Sequence, residues 1–173
     1  METLALQHGL NAGNVQRIEC QVHPIRLPHI NVPDPKSGLD AKFSVFYCLS
    51  RALLNGRLTI ADFEGDAFNE PPVRALMRKV EFSAYEGDNP HGTKLRVNTT
   101  DGRAFEIEIE KTLGASYERA LPDELVRDKF LDCTGRLLEP ATAGQLHAAL
   151  QALEQQDDIR ALTGLMVSGL RRH

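Results

Sequence analysis

The chain has 173 residues, 42 % hydrophobic and 25 % charged, with a formal net charge of −4 and a pI near 5.9. That is enough apolar material for one core with a helical layer appended, so a single domain over 1–173 is the expectation. The acidic balance offers no field for nucleic acid. No run approaches the roughly 20 apolar residues that cross a bilayer, and Met1 to Leu10 lacks a basic start followed by an apolar core, so the reading is cytoplasmic with no membrane partner.

In chain order, Glu2 to Gly9 suits a short helix, and Ile18, Cys20 and Val22 alternate with Glu19, Gln21 and His23 as in a half-buried strand starting near Val15. His23 to Gly38 reads as a loop, with Pro24, Pro28, Pro33 and Pro35. Residues 40–54 read as one nearly all-apolar helix stopped at Asn55-Gly56, where glycine tolerates the left-handed closing conformation. Asp40, Ser44, Tyr47 and Arg51 recur along it at spacings of three and four and so share a face. Polar groups gathered on a buried helix need partners or a ligand. Two readings stay open: a core helix whose tyrosine hydroxyl and arginine reach the surface, or a site opening to a cleft.

Thr59 and Asp62 have capping-box spacing for one short turn through Phe63, and Asn69, Glu70 and Pro71 open a further helix ending near Val80 with Arg78 and Lys79 at its negative end. Strands follow at Glu81–Tyr85, Lys94–Thr99 and Arg103–Glu110. Parity fixes the register of the last two. A two-residue Asp101-Gly102 turn would set Val97 and Leu95 opposite Glu106 and Glu108. A three-residue loop, Thr100-Asp101-Gly102, pairs Val97 with Phe105 and Leu95 with Ile107, and lines up Lys94 and Arg96 with Glu108 and Glu106 on the other face. The second register is the expectation, and it makes the acidic run a solvated sheet face.

Helices are expected at about Pro122–Asp132, Thr142–Gln155 and Asp158–Gly169, with apolar stripes Leu146, Ala149, Leu150, Leu153 and Ile159, Leu162, Leu165, Met166. Together these elements predict an α+β fold: a two-layer sandwich in which a mainly antiparallel sheet of about four strands is covered by helices on one face, with C-terminal helices (122–170) appended. Cys20, Cys48 and Cys133 lack paired spacing and read as reduced core thiols, with a nucleophile or metal ligand as the alternative. The six histidines have no metal-ligand spacing, although His23 and His29 flank the proline-rich loop. No phosphate-binding glycine loop or Gly-x-Ser-x-Gly elbow is present, and no metal or other cofactor is expected.

Four segments carry a family likeness: Ala41-Lys42-Phe43-Ser44 followed by Tyr47, then Ala52-Leu53-Leu54-Asn55-Gly56-Arg57, then Phe63, then Pro72 to Val80. Val15 to Val22, the Thr100-Asp101-Gly102-Arg103 hairpin and Leu121 to Phe130 add to it in the same order. The chain resembles the carboxy-terminal domain of the MmgE/PrpD family, which includes 2-methylcitrate dehydratase, cis-aconitate decarboxylase and iminodisuccinate epimerase. Members run roughly two to three times this length. They begin with a large helical domain, and a Lys-x-Tyr-Pro-like segment followed by a histidine precedes the second domain. Neither is found here, so the chain reads as the second domain alone.

The resemblance implies cofactor-free removal of a group or proton beside the carboxylates of a small polycarboxylic acid. Such a reaction calls for donors and cations aimed at developing negative charge. By resemblance Tyr47 is the catalytic residue, donating to substrate or relaying a proton, and Ser44 supports it at the substrate. Arg51 is assigned to a carboxylate clamp by its chemistry alone, since a guanidinium binds carboxylate in bidentate fashion. Two functions are carried forward: an enzyme component that needs a helical domain in trans and is inactive alone, or a stand-alone binding or interaction module, or relic, that keeps the fold without the reaction. A homo-oligomer is also expected, a second copy covering apolar surface around Leu150, Leu153, Leu162 and Leu165 through a two-fold contact.

Overall fold

The computed structural model of the chain describes residues 1–112, Gly114 and 120–170. They fall into two compact units, Met1–Ala115 and Ser116–His173.

The first unit opens with helix α1 (Glu2–His8), closed by Gly9 at φ +61°, and strand β1 (Val15–Val22). Between β1 and the next strand come a 3-10 turn (Pro24–Arg26) and helices α2 (Leu27–Ile30), α3 (Gly38–Lys42) and α4 (Val45–Asn55). Two further 3-10 turns (Ile60–Phe63, Ala67–Asn69) lead to α5 (Pro71–Met77). Strands β2 (Val80–Ala84), β3 (Thr93–Thr99) and β4 (Ala104–Ile109) complete an open sheet ordered β2-β1-β3-β4. β1 runs parallel to β2, and the helical segment between them is the crossover such a pair requires. The other two pairings are antiparallel, so the fold is α+β with a mixed, mainly antiparallel sheet.

Alternation along the strands gives the sheet two unlike faces. Ile18, Cys20, Val22, Val80, Leu95 and Val97 are buried with Leu4 and Leu10, Leu53 of α4 and Leu76 of α5. Phe46 meets Phe82 edge-on at 6.0 Å. The other face carries Glu19, Gln21, Lys94, Arg96, Glu106 and Glu108. The β3–β4 register is the one parity required, with Val97 opposite Phe105 and Leu95 opposite Ile107. Lys94 pairs with Glu108 at 3.3 Å and Arg96 with Glu106 at 3.0 Å. Gly102, at φ +86°, lets its amide donate to Thr99 O at 3.0 Å and close the three-residue loop.

Two local expectations are corrected. The stretch 23–38 is not all loop, because His23 Nδ1 accepts from the Ile25 amide at 3.3 Å and starts a 3-10 turn that runs on into α2. Residues 40–54 are not one helix. The chain leaves helical geometry at Phe43-Ser44, and α3 and α4 each have their own serine cap.

The second unit contains α6 (Asp123–Thr134), α7 (Pro140–Gln151), a 3-10 turn (Leu153–Gln155) and α8 (Arg160–Ser168). Its core is Leu138, Ala143, Leu146 and Leu162, with Phe130, Leu131, Ala149 and Leu165 packed around it, and an antiparallel bridge joins Leu138 to Leu170. Half of each expected stripe is used in this way. Leu162 is enclosed in the unit's own core and is not available to a second copy, whereas Leu150, Leu153, Ile159 and Met166 are exposed. Among the described residues no helix is long and apolar enough to cross a membrane.

Candidate functional site

The polar stripe lies at the junction of α3 and α4. Ser37 caps α3, its Oγ accepting from the Asp40 amide at 3.1 Å, while Asp40 turns back to accept from the Lys36 amide at 2.9 Å. Asp40 is therefore on a different helix from the other three stripe residues. Ser44 is extended (φ −96°, ψ 107°) and caps α4. Its Oγ accepts from the Tyr47 amide at 3.1 Å and donates to Val32 O at 2.6 Å. A serine just before an apolar helical run is a start signal, so the break was readable.

Tyr47 and Arg51, one turn apart on α4, share one network. Tyr47 is 0 % exposed and packs with Ala41, Phe68, Val73 and Met77, its ring edge-on to Phe63 at 5.7 Å. Its hydroxyl donates to the backbone carbonyl of Asp62 and accepts from Arg51 Nε at 3.3 Å. The Arg51 guanidinium forks onto Glu70, with Nη1 at 2.7 Å from Oε2 and Nη2 at 2.9 Å from Oε1. Its Nε also lies 3.2 Å from Asp62 Oδ1. Asp62 in turn accepts from Asn55 Nδ2 at 2.7 Å, and from the Thr59 amide at 2.7 Å and Thr59 Oγ1 at 3.0 Å. The capping box expected at Thr59 is thus also the platform that holds Tyr47 and Arg51.

Ser44, Tyr47 and Arg51 are brought together, turned into the unit, with every polar group engaged. The bidentate carboxylate grip that chemistry assigns to Arg51 is made, and in this unit its carboxylate is Glu70. Asp62 and Glu70 are the members of the network that sequence reasoning saw only as helix-end residues. Electrostatics follow the contacts. The hydrogen bond from Arg51 holds Glu70 below the usual carboxylate range, and bonding to Glu70 raises the Arg51 pKa. Burial outweighs the nearby guanidinium and raises Tyr47, which keeps the phenol a neutral donor near pH 7. Outside Glu70 an open depression of about 580 Å³ is lined by Glu64, Asp66, Asn69 and Glu70, an acidic rim that disfavours anions.

All three cysteines are free. Burial pushes the Cys20 and Cys48 thiols up to about 11, which leaves them un-ionised and poorly nucleophilic. His23 serves as a turn cap, and His29 is exposed.

Residues 1–155 match the MmgE/PrpD C-terminal domain, from α1 through α7. The chain belongs to the MmgE/PrpD family. This MmgE/PrpD domain is 28 % identical over 160 residues to cis-aconitate decarboxylase of Mus musculus, covering 90 % of this chain and 32 % of that protein. It is 29 % identical over 150 residues to cis-aconitate decarboxylase of Homo sapiens, covering 82 % and 31 %. With 2-methylcitrate dehydratase of Salmonella typhimurium it shares 28 % over 123 residues, covering 65 % and 26 %. The chain thus spans about a third or less of the length of these curated relatives.

Proposed function

We propose that this domain forms one wall of the reaction cleft in a cofactor-independent lyase or isomerase of small polycarboxylates, and that it is inert until joined to a helical domain. The observation that carries this reading is the family match across residues 1–155, with relatives named for decarboxylating cis-aconitate and dehydrating 2-methylcitrate. Tyr47 is the side chain through which the domain reaches the reaction. Its raised pKa keeps a proton on the phenol, as a donor to developing carboxylate or enolate charge requires. Enclosed in this unit, that proton goes to the Asp62 carbonyl, and a substrate oxygen competes for it only once joining the helical domain opens the Arg51–Glu70 contact that covers Tyr47. Ser44 and Arg51 hold the backbone and hydroxyl of Tyr47 while this exchange occurs.

The test is turnover of cis-aconitate and of 2-methylcitrate by the purified chain, alone and mixed with or fused to a helical domain taken from a relative. The expected result is no turnover alone, turnover on joining, and a kcat loss in joined Tyr47→Phe that exceeds its loss of folded fraction. Turnover by the chain alone overturns the dependence on a second domain. Silence in every folded pairing overturns the enzymatic reading and leaves a binding module that keeps the fold.

A further inference from the structure

A second constellation in the first unit shares no residue with α4. The sheet topology creates it: β1 and β2 start at the same end, β3 finishes there, and β4 starts there. That end holds a cavity of about 480 Å³, within the range of small-molecule sites. Arg17 enters it from β1, Arg78 and Lys79 from the approach to β2, and Arg103 from the approach to β4, with Asn98 contributed by β3. Glu81 is the carboxylate among the lining residues.

The charges at this end are unequally compensated. Arg17 Nε and Nη2 both donate to Glu19 Oε1, the first at 2.8 Å, and its Nη1 lies 3.4 Å from Glu81, so all three nitrogens are engaged. Arg103 Nε and Nη2 both lie 2.8 Å from Asp101 Oδ2. Lys79 Nζ is held by two neutral carbonyls, Val15 O at 2.6 Å and Ala12 O at 3.2 Å, so its position is fixed while its charge is not cancelled. Arg78 makes no ion pair among the described residues. Complementing the C-terminus of α5 accounts for cations at Arg78 and Lys79, and Glu19, Glu81 and Asp101 pair with Arg17 and Arg103, which leaves four cations against three carboxylates at this end. Like charges converging on one cavity repel, and an anion between them removes that cost. Forked guanidinium groups suit the paired oxygens of carboxylate and phosphate alike.

We propose that this sheet-end cavity binds a small polyanion carrying two or three carboxylate or phosphate groups, with Arg78 and Lys79 supplying the uncompensated charge between the ion-paired Arg17 and Arg103. The site stands apart from the Tyr47 network, and its test reads binding, so it is independent of whether the domain takes part in catalysis.

The experiment is calorimetric titration of the full chain with citrate, pyrophosphate and acetate at low salt, repeated at physiological salt. Amide chemical-shift mapping runs alongside. Citrate or pyrophosphate is expected to bind more tightly than acetate, to weaken as salt is added, and to shift Gln16, Asn98, Thr99 and Gly102. Arg78→Gln is expected to weaken binding by about tenfold or more, the loss of one charge-assisted contact. Arg103→Gln, checked for folding by circular dichroism, provides a second reading should Arg78→Gln misfold. Arg160→Gln, in the other unit, is expected to change nothing. Preference for citrate assigns carboxylates and preference for pyrophosphate assigns phosphates, and either upholds the site. Failure of both polyanions to bind overturns it, as does unchanged affinity in the folded arginine variants or equal weakening by Arg160→Gln.

Discussion

Arg51 and Glu70, nineteen residues apart, are joined by a two-pronged contact at 2.7 and 2.9 Å in which the arginine side chain is 8 % exposed and the glutamate 49 %. The pair fastens α4 to the entry of α5 and closes over Tyr47. Its strength comes from the buried member. Arg51 also bonds the Tyr47 hydroxyl and Asp62, so a single side chain ties together the cap, the turn and both helices.

Arg51→Met should therefore be costly. It strands the buried Asp62 carboxylate without its cation and leaves the Tyr47 hydroxyl without its donor. Breaking a buried pair from one side costs about 3 kcal/mol or more. Urea denaturation of the chain should show a loss of that order for Arg51→Met. A loss under about 1 kcal/mol would mean that solvent already screens the pair.

Tyr47→Phe isolates the hydroxyl. The ring keeps its place against Phe63 and Met77, while the Asp62 carbonyl and Arg51 Nε each lose a partner. The expected destabilisation is about 1–2 kcal/mol, with no change in secondary structure by far-UV circular dichroism. A neutral result would indicate that the hydroxyl spends its time away from Asp62 and is open to other acceptors.

Glu70 sets a pH dependence whose sign is fixed by its lowered pKa. A carboxylate held below its unfolded value stabilises the fold fully above the unfolded range, near ~4.3, and loses that contribution as pH falls through the folded value. Arg51 stays charged throughout. The stability gap between the native chain and Glu70→Gln should be widest at pH 6–7 and close on acidification below about 4. Thermal melts at stepped pH would read it, and a gap that persists in acid would contradict the assignment.

The sheet was legible in the sequence because its signal has a period of two and allows no compromise. In the hairpin, one slipped residue would have set Leu95 and Val97 against Glu108 and Glu106, so parity alone chose the register found. The stripe was harder to read. Asp40, Ser44, Tyr47 and Arg51 satisfy helical spacing, yet Ser44 prefers to cap, and that one hydrogen bond splits the helix and detaches Asp40. Spacing also could not say which way Tyr47 and Arg51 point, because their partners Asp62 and Glu70 lie in later turns whose approach depends on tertiary packing. The C-terminal stripes were half legible for a similar reason: a small three-helix unit can enclose Leu146 and Leu162 but has too little partner surface for Leu150 and Ile159.

Cysteine reactivity offers a check on burial. With Cys20 and Cys48 raised to about 11 by desolvation, neither should label appreciably with a thiol reagent at pH 7.5 in the folded chain. All three cysteines should label once urea unfolds it. Mass-spectrometric site mapping separates the positions, and rapid native labelling of Cys20 would show that the inner sheet face opens readily.

The last prediction sets two glycines against each other. A Cβ built on Gly38, at the first position of α3, would stand 2.2 Å from the carbonyl oxygen of Phe63, a backbone atom that cannot rotate away. That carbonyl belongs to the turn carrying Asp62, so displacing it pulls on the acceptor of Tyr47 and the partner of Arg51. Gly102, by contrast, is left-handed at φ +86° with nothing within 4 Å of its missing Cβ, so Ala there meets only backbone strain. Gly102→Ala should cost about 1 kcal/mol, and Gly102→Asn less, because asparagine tolerates that conformation. Gly38→Ala should cost about 2 kcal/mol or more through overpacking. Denaturation midpoints of the three variants test the order, and Gly38→Ala proving milder than Gly102→Ala would mean that the α3 approach to the Asp62 turn is looser than these distances imply.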